Sequence, residues 1–149
     1  RGCTVFTNYD SAQSRQRAER PQASMLFTWL QLHRQVRVLG TVERVPDEES
    51  DEYFASRPQP SQVGAWSSPQ SQPIPDREWL EARVAQMAAT FGEQAVPRPA
   101  FWGGWLLRPE VYEFWQGRPS RLHDRVRYSP LAVPGDGDGH DWLIERLAP

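Results

Sequence analysis

Between Gln35 and Val45 the side chains alternate, with Val36, Val38, Gly40 and Val42 on one face and Gln35, Arg37, Thr41 and Glu43 on the other. A period of two belongs to a β-strand with one face buried, and a slip of one residue would turn every valine to solvent. Such a strand needs a neighbour in fixed register. The apolar and aromatic run Ala23–Leu32 just before it supplies one, as an antiparallel partner.

Strand-like content recurs at Cys3–Phe6, Gly104–Arg108, Val111–Gln116, Arg125–Tyr128 and Trp142–Leu147, with Pro134–Gly139 as the hairpin loop between the last two. Helices interrupt the series. Asp10-Ser11 caps one over residues 11–20, closed by Pro21. Pro46-Asp47-Glu48-Glu49 opens a second, with acids where the helix dipole favours them, and it ends before Pro58 with Tyr53, Phe54 and Arg57 at its close. Ser61–Trp66 reads as one helical turn and Ser67–Pro75 as a loop. From Asp76 the longest helix carries a stripe of Leu80, Val84, Met87 and Phe91, and Gly92 stops it. Sequential strands joined by short loops predict a mainly β fold with added α, an antiparallel barrel with helices packed outside, over a parallel α/β sheet.

The 149 residues suffice for one domain with a core of its own. Seventeen basic against 19 acidic residues give a net charge of -2, which argues against a nucleic-acid partner or an anionic membrane held by bulk charge. One cysteine, Cys3, and three scattered histidines offer neither a disulfide nor metal-ligand spacing, which fits a reduced, cytoplasmic setting and no metal. No apolar run reaches the roughly 18 residues of a membrane helix. All 17 basic residues are arginine, whose planar donor fork suits phosphate or carboxylate, although a codon preference produces the same bias.

Gly-rich phosphate loops, His-Glu-x-x-His helices and Gly-x-Ser-x-Gly elbows are absent from the sequence. Gly135-Asp-Gly-Asp-Gly139 lacks the further oxygens of a calcium loop, and His33 and His140 read as solvated polar residues. Trp102-Gly-Gly-Trp105 fits close backbone packing at a barrel corner, with a ligand-stacking platform as the alternative. One segment is richer in chemistry. Glu113-Phe-Trp-Gln-Gly117 followed by Arg121-Leu-His-Asp-Arg125 gathers arginines for an anion, a histidine able to exchange protons and a tryptophan able to cover a flat ring. Two strands joined by a turn would aim them into one cleft.

With these residues the chain resembles the pyridoxamine 5′-phosphate oxidase family, flavin enzymes that make pyridoxal phosphate. The resemblance is carried by Phe6-Thr-Asn8, Arg34-Gln-Val-Arg-Val38, Tyr53-Phe-x-Ser-Arg-Pro58, Ser61-Gln-x-Gly-Ala65, Gln70-Ser71, Trp102-Gly-Gly104, the two segments above and Glu145-Arg-Leu-Ala-Pro149. It implies a split β-barrel that dimerises, with FMN held between subunits. It gives Phe6, Thr7, Gln35, Gln70, Ser71, Trp115 and Arg125 to FMN, and Tyr53, Arg57 and Ser61 to the substrate phosphate. Arg121, Leu122 and His123 would lie over the pyridine ring, with Arg121 and His123 as the catalytic pair on one side of a strand. The implied reaction oxidises pyridoxamine or pyridoxine 5′-phosphate with oxygen as acceptor. A related split-barrel oxidase of another aromatic substrate, or a non-catalytic flavin- or pyridoxal-phosphate-binding member, are the alternatives. Two departures bear on FMN. The family's Arg-x-Val-Leu-Leu-Lys strand would precede Arg1 and is not in this 149-residue domain, and its basic pair after Asn8 is replaced by Ala12 and Gln13. Weaker FMN binding is the expected result, with Arg15 or Arg17 as nearby substitutes.

Overall fold

The computed structural model describes residues 2–131 and 142–149. The elements are β1 (Cys3–Asn8), α1 (Ala12–Glu19), β2 (Gln22–Trp29), β3 (Arg34–Arg44), α2 (Asp47–Ser56), α3 (Gln59–Ser67), α4 (Arg77–Phe91), β4 (Trp102–Gln116), β5 (Asp124–Pro130) and β6 (Trp142–Arg146). They fall into two compact units: Arg1–Cys3, Gln22–Val42 and Leu107–Pro149 make a sheet unit, and Thr4–Pro21 with Glu43–Leu106 make a helical unit. The predicted Pro134–Gly139 loop, the Gly-Asp segment within it and His140 lie outside the described residues.

In the sheet unit the strand order is β2-β3-β4-β5-β6. β2 pairs antiparallel with β3 in the register Met25↔Val38, and β5 pairs antiparallel with both β4 and β6. The alternation of β3 is realised as burial: Val38, Gly40 and Val42 are buried while Arg37 is not. Gly40 is required because a Cβ there would run into the Arg108 carbonyl. Two expectations are corrected. The β2 run stops at Trp29, and residues 30–32 form a 3-10 turn ending in His33 at φ 49°. Leu30 and Leu32 read as strand because they are apolar, yet both are exposed. The separate strands predicted at Gly104–Arg108 and Val111–Gln116 are one strand of 15 residues. Pro109 does not break it, since a proline's fixed φ is compatible with extended backbone and forfeits one ladder hydrogen bond.

In the helical unit β1 pairs with β4. α1 has no apolar stripe and is held by polar anchors. Ser11 Oγ accepts from the Ser14 N–H, while Ser14 Oγ donates to the Asn8 carbonyl and accepts from Trp105 Nε1. Ser61–Trp66, expected as one turn, belongs to the nine-residue α3. Gly64 lowers its intrinsic helicity, but Pro60 sits in the tolerated first turn and Gln62 Nε2 donates back to the Phe54 and Ala55 carbonyls at the end of α2. Asp76 caps α4 through the Trp79 N–H, and Gly92 ends it at φ 53°. Of the predicted stripe, Leu80, Met87 and Phe91 are partly buried and Val84 is 39% exposed. Arg83 instead faces inward, donating to the Ser67 carbonyl at 3.0 Å.

The core of this unit is Phe54, Val63, Val96 and Trp102, with Phe6, Trp66, Met87, Phe91 and Phe101 packed against it. Gly103 and Gly104 follow Trp102 because added Cβ atoms would strike Tyr9 and, at 2.6 Å, Val45. That is the close-packing reading of the Trp-Gly-Gly-Trp segment. Arg98 ties the connector to α2, donating to Asp51 at 2.5 Å, Asp47 at 2.8 Å and the Trp102 carbonyl at 2.6 Å.

Two glycines make opposite predictions for urea unfolding. Gly40→Ala loses about 1–3 kcal/mol to the clash with Arg108. Gly64→Ala, with nothing within 4 Å of the new methyl, gains about 0.5–1 kcal/mol from helix propensity.

Candidate active site

α2 ends at Arg57 and α3 begins two residues later, so the junction sets a guanidinium beside Ser61 on the first turn of the next helix. The Arg57 guanidinium lies 4.8 Å from the ring centroid of Trp102 and 5.6 Å from that of Phe54. Its Nη1 is shielded from water and has no hydrogen-bond partner among the described residues. A cavity of about 260 Å³ is lined by Arg57, Ser61, Asn8, Ser68, Gln70 and Trp102. Gln70 Oε1 accepts from Thr7 Oγ1 and from the Asn8 N–H, both at 3.2 Å, which leaves the amide nitrogen of Gln70 to donate. Tyr53 stacks on Phe6 with centroids 3.9 Å apart and lies parallel to Trp102 at 6.3 Å. A guanidinium with one nitrogen unpartnered among the described residues, hydroxyl and amide groups and an aromatic floor are groups whose chemistry suits an anion.

The sheet unit builds a second group. Gln35 and Arg37 share one face of β3, Glu113 and Trp115 one face of β4, and Arg125 stands opposite Trp115 in the β4/β5 register. Arg37 Nη2 donates to Glu113 Oε2 at 2.8 Å and Arg125 Nε to Glu113 Oε1 at 2.9 Å. Gln35 and Trp115 line a cavity of about 630 Å³ with Trp29, Arg34, Phe114 and Arg118. The His123 ring tilts on Trp115 at 4.7 Å, and its Nδ1 accepts the Arg118 N–H at 3.2 Å. That bond assigns the proton of the neutral imidazole to Nε2, which is free to donate.

The hydrogen bond from Arg125, followed by the charges of Arg125 and Arg37, holds the Glu113 carboxyl below its usual range against the opposing effect of burial. Hydrogen bonds from Arg118 and Arg146 lower Asp124 in the same way. Glu113 in turn raises Arg125.

The predicted residues therefore gather in two sets. Tyr53, Arg57, Ser61, Phe6, Thr7 and Gln70 lie in the helical unit, and Gln35, Trp115, His123 and Arg125 in the sheet unit. Ser71 follows Gln70 in an exposed turn at φ 67°. The placement of Arg121 and His123 on one strand face is corrected. Residues 119–121 form a 3-10 turn with Ser120 and Arg121 at φ 59° and 62°, and β5 starts only at Asp124. Arg121 makes no hydrogen bond among the described residues, and Leu122 is 69% exposed. Gln116 lines the same cavity as Gln35 and Trp115, but its amide is already engaged: it donates to the Leu32, His33 and Gly117 carbonyls and accepts from Arg34 Nε, locking the turn before β3. Of the two substitute arginines, Arg15 donates to the Asp10 carbonyl, while Arg17 Nη1 is buried without a partner and burial lowers its pKa. Asn8, Trp102, Arg37 and Glu113 were missed as site residues, although each stands inside a quoted motif. Among the described residues no three His, Cys, Asp or Glu side chains form a metal cluster, and no helix is long and apolar enough to cross a membrane.

The strand order and helices match those of split-barrel flavoproteins. The structure of PhzG from Burkholderia lata 383, in complex with tetrahydrophenazine-1-carboxylic acid, superposes with a TM-score of 0.86 at 32% identity, over 100% of this chain and 69% of that one. A pyridoxamine 5′-phosphate oxidase-related, FMN-binding protein from Nostoc punctiforme shares the fold at a TM-score of 0.70 and 15% identity, over 98% and 72% of the two chains. The fold is thus that of the split-barrel proteins.

Sequence comparison narrows it. The family model described as pyridoxamine 5′-phosphate oxidase matches residues 1–91, and the one described as the pyridoxine 5′-phosphate oxidase C-terminal dimerisation region matches residues 102–149. Pyridoxine/pyridoxamine 5′-phosphate oxidases from Polynucleobacter asymbioticus and Cupriavidus pinatubonensis are 55% and 54% identical, over 99% and 100% of this chain. The chain spans 66% and 67% of the length of these two relatives. It belongs to the pyridoxamine 5′-phosphate oxidase family.

The Glu113 cluster makes a pH prediction. A carboxyl whose folded pKa is depressed adds stability above its unfolded pKa of about 4.3 and loses it as pH falls through the folded value. The stability advantage of the wild type over Glu113→Gln in urea titrations is therefore expected to be full at neutral pH and to shrink steadily below about pH 4.

Proposed function

We propose that this chain binds FMN and oxidises pyridoxamine 5′-phosphate and pyridoxine 5′-phosphate to pyridoxal 5′-phosphate, reducing oxygen to hydrogen peroxide, as a cytoplasmic homodimer. The observation that carries the reading is the buried, unpartnered Nη1 of Arg57 in a polar cavity with Ser61. A guanidinium nitrogen shielded from water and without an acceptor among the described residues is costly, and a phosphate monoester supplies such an acceptor.

The residues present fit the cofactor. In the helical unit Gln70 offers an amide donor and Thr7, whose proton goes to Gln70, a hydroxyl oxygen that accepts; in the sheet unit Gln35 offers another amide, Arg125 a fixed cation and Trp115 a flat apolar surface, each a kind of group that a flavin's phosphate, ribityl chain or ring takes. Bound to these residues, FMN would supply the acceptor for the substrate's hydride and the route for its electrons to oxygen. The protein's part is positioning and proton control. Arg57 and Ser61 anchor the phosphate, and Tyr53, stacked on Phe6, frames the same site. In the sheet unit His123 has Nε2–H as a donor suited to a pyridine substituent, and Arg121, unbonded among the described residues, is a cation suited to the ring. Apolar side chains exposed on the sheet unit, Phe27, Trp29, Phe114 and Ile144 among them, support a subunit interface, in keeping with the dimerisation region matched at residues 102–149.

The likeness to PhzG supports a second reading, oxidation of a different aromatic anion at the same seat, where Arg57 would meet a carboxylate. One variant separates them. Arg57→Ala is expected to raise KM for pyridoxine 5′-phosphate by about ten- to a hundredfold, the value of a charge-assisted bond, while KM for unphosphorylated pyridoxine stays as it was. An unchanged preference for the phosphorylated substrate contradicts the assignment.

A further inference from the structure

We infer that Glu113 is a positioning residue for flavin binding, yoking Arg125 and Arg37 on one face of the sheet so that Arg125 presents a fixed edge to the cofactor; this rests on the reading of Arg125 as an FMN contact. Glu113 is only 9% exposed, and nothing in the reaction calls for a carboxylate there. Its two oxygens are divided between strands, one for Arg125 on β5 and one for Arg37 on β3. Arg125 is then fastened at a second point, Nη1 donating to the Ala148 carbonyl at 3.0 Å. Of its five N–H groups, the Nε–H and one on Nη1 are used, so Nη2 and the remaining Nη1 hydrogen form the edge left for a ligand.

Electrostatics give Glu113 a second task. Two guanidiniums on neighbouring positions of one face repel, and each would swing toward water if left alone. A carboxylate between them cancels the repulsion yet leaves the trio with one net positive charge, the sign an anionic cofactor needs. Arg37, half-exposed and sharing a strand face with Gln35, is held in the same way. A simple structural ion pair does not require this arrangement, since one arginine would satisfy the carboxylate.

The test is a double-mutant cycle read as FMN affinity, by flavin fluorescence titration of wild type, Glu113→Gln, Arg125→Ala and the double variant. Each single change is expected to weaken FMN by about tenfold or more, and the double variant to bind within about twofold of Arg125→Ala, because Glu113 acts through Arg125. Losses that multiply in the double variant overturn the inference, since a structural carboxylate acts independently of Arg125 in binding. Arg125→Lys keeps the charge without the fork, and is expected to bind FMN as poorly as Arg125→Ala even where Glu113→Gln fails to fold; binding equal to wild type overturns the inference. Arg125→Ala with wild-type affinity refutes the positioning role alone. A wild-type chain that takes up no FMN refutes the proposed function with it.

Discussion

In the helical unit a half-buried guanidinium lies over an aromatic ring with one nitrogen, Arg57 Nη1, shielded from water and without a hydrogen-bond partner among the described residues. The Arg57 guanidinium rests on Trp102, and leaving one of its nitrogens dry and unbonded costs stability that the fold must supply elsewhere. It does so through Trp102 itself, which packs with Phe54, Val63 and Val96 and carries Tyr53 and Phe6 in parallel planes above it. Arg98 secures the same tryptophan's carbonyl to Asp47 and Asp51 of α2. Core packing and the setting of Arg57 are thus one structure.

In the sheet unit several arginines are paired with carboxylates, as Arg98 is in the helical unit: Arg125 and Arg37 with Glu113, Arg127 with Glu145, Arg118 and Arg146 with Asp124. Paired arginines hold shape and direction, while an unpaired one holds binding energy in reserve. Exclusive use of arginine matters to both, because a lysine offers neither the stacked plane on Trp102 nor a fork that can be held by one edge and used by another.

Much of this was legible in the sequence. The valine alternation of β3 gave its buried face, and the Ser11 and Asp76 caps gave two helix starts. Failures occurred where local signals compete with tertiary contacts. Leu30 and Leu32 imitate a strand although the turn there is set by Gln116, more than 80 residues away. Gly64 hid the length of α3, whose support comes from Gln62 reaching back to α2. The site motifs named the candidate residues, but the side chains they are held against, Glu113 for Arg125 and Trp102 for Arg57, are visible only as distances. Arg121 and His123 were read as strand neighbours because alternation was assumed across a segment that turns at positive φ.

The account stands on the chain being an oxidase and not only a flavin binder, and an anaerobic half-reaction tests that directly. The purified chain is loaded with FMN and mixed with pyridoxine 5′-phosphate in the absence of oxygen, and the visible flavin absorbance is followed. The account predicts bleaching of the bound flavin with formation of one pyridoxal 5′-phosphate per flavin, and return of the colour when oxygen is admitted. Flavin that stays oxidised while the phosphorylated ligand is demonstrably bound would contradict it.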